Sequence, residues 1–73
     1  MTTFTFDSEL KFEVRKRWRA YTDRKTADIR RTGGLVIIQD PPEHGPDTAG
    51  RFTWYDVPDE FLAELKADGI KVV

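Results

Sequence analysis

Arg15, Arg17 and Arg19 alternate along the chain, and Tyr21 follows two positions later. On an extended strand alternate residues share a face, so this spacing sets three guanidinium groups in line beside an aromatic ring. Guanidinium forks hold carboxylates or phosphates through paired hydrogen bonds, and an aromatic ring adds a stacking surface. Arg30, on a neighbouring strand, and Tyr55 complete the candidate binding set: Arg15, Arg17, Arg19, Tyr21, Arg30 and Tyr55. Five phosphate contacts on such a face would give a log–log salt slope of roughly −3.5 on single strands.

Other chemistry has weaker support. The segment from Asp40 to Asp47 holds three carboxylates and the single histidine, His44. Its spacing matches neither an EF-hand loop nor a histidine-containing zinc motif, so no metal site is expected. His44 has no serine near it, the only serine being Ser8. Asp56 and Asp59 are a carboxylate pair, but both are better explained by capping the helix that follows. The glycines form neither a P-loop nor a dinucleotide fingerprint. The reading is therefore non-enzymatic, with no cofactor.

Charge is strongly divided along the chain. From Arg15 to Arg31 eight basic residues stand against two acidic ones, and from Asp40 to Asp68 eight acids stand against two basic residues. A formal net charge of −1 thus hides a local +6 and a local −6. Either the basic segment presents an anion-binding face, or the two halves neutralise each other on folding. Overall charge balance argues against a dedicated nucleic-acid domain, which is usually strongly basic.

Seventy-three residues suit one small domain, 1–73, of modest stability. With no cysteine, disulfides and thiolate metal sites are excluded. The longest aliphatic run, Leu35 to Ile38, is far below the roughly 20 residues that span a bilayer. The N-terminus lacks the features of a signal peptide, and a cytoplasmic location is the default expectation.

These residues need elements to position them. Thr3 to Phe6 alternates as a short strand with Phe4 and Phe6 on one face. The stretch from Leu10 to Tyr21 reads two ways. As a strand it places Leu10, Phe12, Val14, Lys16, Trp18 and Ala20 on one face, five of the six apolar; as a helix it forms a stripe of Leu10, Val14, Trp18 and Tyr21 but leaves Phe12 outside. The strand is favoured, with a hairpin at Thr22–Lys25 that pairs Trp18 with Ile29 and Ala20 with Ala27. Gly33-Gly34 suits a second tight turn into Leu35–Gln39, a central strand covered on both faces. Asp40 to Gly50 reads as a long exposed loop, and Arg51–Tyr55 as a strand.

Pro58, Phe61, Leu62 and Leu65 mark a helix at about 58–68 with Gly69 at its stop and Ile70 packing back on Leu65. Ile70–Val73 reads as a short final strand. The expected fold is α+β: a small antiparallel sheet of four or five strands with one C-terminal helix packed on it. The expected function is binding, with a protein partner first because the domain is charge-balanced, aromatic-rich and without a catalytic set. An RNA- or single-stranded-DNA-binding module using the same arginines is the alternative, and a homodimer closing its sheet edge is a third.

Overall fold

A computed structural model describes residues Met1 to Val73. Strand β1 (Thr2–Asp7) leads through a single 3-10 turn (Ser8–Leu10) into helix α1 (Lys11–Arg31). Strands β2 (Glu43–His44) and β3 (Arg51–Val57) and helix α2 (Asp59–Ala67) follow. The fold is α+β, and the sheet is antiparallel with three strands in the order β1-β3-β2 rather than the four or five expected.

Side-chain alternation sets the β1/β3 register. Phe4 lies opposite Trp54 and Phe6 opposite Phe52, all four facing the helices. On the other face Thr5 and Thr53 meet through their hydroxyls at 3.0 Å. A one-residue slip would turn every aromatic outward. Near the end of β3 the pairing is irregular, with Asp56 at φ 54°, and the alternation shifts by one so that Val57 returns to the core. Asp56 therefore serves the bulge and caps no helix; the residue at the α2 N-cap is Pro58.

The stretch from Leu10 to Tyr21 is helical, against the strand reading. Val14, Trp18 and Tyr21, spaced i, i+4, i+7, are the buried residues of α1. A strand would bury Phe12, whereas on the helix Phe12 is 76% exposed. No glycine or proline interrupts residues 11–31, and Arg30 and Arg31 complement the negative end of the helix dipole. The proposed Trp18–Ile29 strand pair therefore lies along one helix, about 16 Å apart at 1.5 Å rise per residue.

Gly33-Gly34 ends this helix instead of turning a hairpin. Gly33, at φ 80°, donates its N–H to Arg30 (3.0 Å) and Gly34 donates to Ile29 (3.0 Å), the paired bonds of a Schellman stop. Both devices need a positive φ, so the dipeptide alone did not separate them. The following Leu35–Gln39 is not a central strand: it joins no sheet, and Leu35 and Ile37 are fully or almost fully exposed.

Two further expectations are corrected. Asp40–Gly50 is not a plain loop, because it contributes β2 and an ordered turn in which the Asp47 carboxylate accepts from the N–H groups of Ala49 (2.8 Å) and Arg51 (2.9 Å). Ile70–Val73 forms no strand; it makes one backbone bond to β1, from Val73 N–H to the Thr5 carbonyl (2.8 Å), while Ile70 and Val72 lean on the core. Helix α2 falls within the expected span, and Ile70 N–H reaches Leu65 at its Schellman stop (3.0 Å).

Seven of the nine aromatic residues enter one ten-residue core with Val14, Val57 and Leu65. Trp18 joins α1 to this core, edge-on to Phe61 (5.0 Å between ring centres) and to Trp54 (6.1 Å). Such edge-to-face pairs add to the gain from burying each ring. The two aromatics outside the core are Phe12 and Tyr55.

Candidate functional site

A helical α1 distributes the candidate arginines around a cylinder, so the shared sheet face does not form. Arg17 and Tyr21 turn toward α2. The Arg17 guanidinium bonds the Glu13 carboxylate at 2.7 Å and Asp68 at 3.2 Å, and the Glu13 bond is the main cause of its raised pKa. Tyr21 is buried and donates its hydroxyl to Glu60 (3.3 Å); burial, then the Glu60 charge, holds its pKa above the ordinary tyrosine value. Arg24 pairs with Glu64, and Lys25 with Glu60 at 2.7 Å.

The divided charge is thereby explained in part. Four of the eight basic residues between positions 15 and 31 (Arg15, Arg17, Arg24 and Lys25) pair with acids from the 40–68 half. Arg31 pairs locally with Asp28. Lys16, Arg19 and Arg30 form no ion pair.

Arg15 and Arg19 lie together on another side of α1, at the rim of a cleft of about 540 Å³ floored by Trp18 and Trp54. Asp40 and Glu43 face them across the cleft. Each of these carboxylates accepts an indole N–H: Trp18 donates to Asp40 at 2.9 Å and Trp54 to Glu43 at 2.6 Å. Glu43 also meets Arg15 at 3.5 Å and Lys11 at 3.6 Å. The indoles are nearly buried, so the cleft offers mainly charged edges whose bonds are largely satisfied within the chain. Histidine and carboxylate side chains nowhere gather in a group of three that could hold a metal ion, and His44 stands exposed on β2.

The remaining candidates are scattered. Arg30 is eleven residues beyond Arg19, about 16 Å along the helix axis. Tyr55 is on β3, 39% exposed, and its backbone N–H donates to the Pro42 carbonyl.

The outward face of α1 carries what the alternating-arginine reading missed. Phe12, Lys16 and Arg19 stand at i, i+4 and i+7, one continuous stripe, with Arg15 beside it. All four are exposed. Helical spacing counted from Phe12 would have found the stripe. Comparison with family models, with curated proteins and with solved structures gives no match.

Proposed function

We propose that this is a non-enzymatic binding domain that docks an acidic protein surface on the outward face of α1, with Phe12 as the apolar anchor and Arg15, Lys16 and Arg19 as the cationic contacts. One observation carries the reading: a phenylalanine 76% exposed, with Lys16 one helical turn and Arg19 two turns along the same stripe, neither of them in an ion pair. Exposed aromatic and arginine side chains side by side have the composition of interface hot spots. Charge complementarity selects the partner's sign. A net charge of −1, with half of the basic segment already paired, favours a compact acidic patch over a nucleic-acid polyanion.

The test is a nuclease-treated pull-down from the native lysate, comparing wild type with Phe12→Ser/Arg19→Glu, followed by titration of the captured protein in purified form. A direct complex that weakens with salt and loses at least tenfold in affinity in the double variant supports the reading. Equal capture by both proteins overturns it. So does capture that depends on intact nucleic acid together with salt-sensitive binding of a labelled single-stranded oligonucleotide, which would assign the same stripe to nucleic acid.

A further inference from the structure

The second unpartnered element is the arm formed by the end of α1 and the chain after it. No residue between Thr22 and Asp40 is buried. The molecule measures 44 × 22 × 19 Å, and its radius of gyration of 13.1 Å exceeds the about 11 Å of a compact 73-residue domain. At the tip, Ile29, Leu35 and Ile37 are exposed, the last two by 103% and 90%. From Leu35 to Ile38 burial alternates between exposed and half-buried, the pattern of a strand. Yet no backbone hydrogen bond reaches any N–H or C=O from Leu35 to Pro41. Four consecutive aliphatic residues, three of them β-branched with high strand propensity, and free backbone groups make an open template for strand pairing.

Polarity along the segment identifies what it pairs with. Arg30 and Arg31 precede it, and Asp40 follows it. Arg30 forms no ion pair, and Asp40 gives only one carboxylate oxygen to Trp18. An uncharged segment with a basic helix end before it and an acid after it is complemented by its own copy run in the opposite direction. Parallel pairing would instead place like charges together.

We infer that residues 34–38 pair antiparallel with the same residues of a second copy of this chain, across a two-fold axis at Val36. Such an axis stands perpendicular to the two-stranded ribbon and keeps its faces equivalent, so paired residue numbers have an even sum. In the register summing to 72, Leu35 lies opposite Ile37 of the second copy. The four exposed aliphatic side chains then cover each other on one face. Antiparallel pairing also turns the α1 end of each copy, where Arg30 has no ion pair, toward the Asp40 end of the other. The contact is small, below the roughly 1,200 Å² of standard interfaces, so it is weak and concentration-dependent. It uses none of the α1 outward stripe, and its success or failure is separate from that of the docking face.

Sedimentation equilibrium from about 10 µM to 1 mM tests the pairing. Wild type is expected to rise from the 8.5 kDa monomer toward twice that mass. Leu35→Glu/Ile37→Glu, which alters only exposed side chains, is expected to stay monomeric with an unchanged circular dichroism spectrum. Because the chain has no cysteine, Val36→Cys reports the register directly. Residues directly opposite in an antiparallel pair have Cα atoms about 4.5–5.5 Å apart, within disulfide reach. Under mild oxidation this variant is expected to cross-link at least tenfold faster than Ala63→Cys, placed on the exposed side of α2. Monomeric wild type at 1 mM overturns the inference, as does a dimer that survives Leu35→Glu/Ile37→Glu or equal cross-linking of the two cysteine variants.

Discussion

The indole N–H of Trp18, in the middle of α1, donates to the carboxylate of Asp40 at 2.9 Å and ties the helix to the residue where the exposed aliphatic segment returns to the domain. This bond fixes one end of the arm, and the Schellman stop at Gly33 fixes the other. Asp40→Ala leaves a nearly buried donor unpaired, at a cost of about 1–3 kcal/mol. Asp40→Asn keeps an acceptor and is expected to lose less. Urea denaturation followed by tryptophan fluorescence measures both.

Phe61 is fully buried and meets Trp18, Tyr21 and Trp54. Phe61→Ala removes about 3–5 kcal/mol, comparable with the whole stability expected of a domain this small. Loss of the cooperative thermal transition in circular dichroism is the expected outcome. Phe12→Ala, at the exposed stripe, is expected to stay within about 0.5 kcal/mol of wild type. That contrast separates core aromatics from the proposed docking anchor.

Two glycines differ in the reason they are needed. Gly33→Ala strains a left-handed helix stop whose surroundings are open, and costs about 1–2 kcal/mol. At Gly45 a Cβ would also come within 2.7 Å of the Arg51 carbonyl oxygen, a backbone atom that cannot swing aside. Gly45→Ala is therefore expected to be the more destabilising of the two in urea midpoints measured side by side.

Stability is expected to fall at both ends of the pH scale. Glu60 is held below its ordinary pKa chiefly by the bond from Lys25, and Asp47 chiefly by the N–H of Arg51. A carboxylate whose folded pKa is depressed releases its proton more readily in the folded chain. Its contribution is present above the ordinary values of 4.5 and 3.8 and is lost as pH falls through the folded ones. Tyr21 and Lys25 are raised above 10.0 and 10.5, Tyr21 by burial first and Lys25 by its bond to Glu60. Their contribution is complete below those values and is lost as pH rises through the folded ones. Urea midpoints across pH check this, and Glu60→Gln is expected to flatten both limbs.

Local patterns carried the parts of this fold that depend on neighbours in the chain. Phe4 and Phe6 alternate, Phe52 and Trp54 alternate, and Phe61 and Leu65 follow a helical repeat into Gly69; each element ends within two residues of where its spacing placed it. The α+β class followed from the same patterns. Two decisions were not local. Residues 10–21 satisfy a two-residue and a 3.6-residue period almost equally, and the choice turned on whether Phe12 needed burial. It did not, because the sheet and α2 had already filled the core against Val14, Trp18 and Tyr21. The partition of the arginines was likewise non-local: Arg17 faces Asp68 and Arg15 faces Glu43 across long stretches of chain, so which cations are neutralised and which stay free depended on how α1 lies against α2 and β2. The aliphatic run 35–38 has the composition of a covered strand, but a chain of this length, its core closed by seven aromatics, has no second layer to cover it.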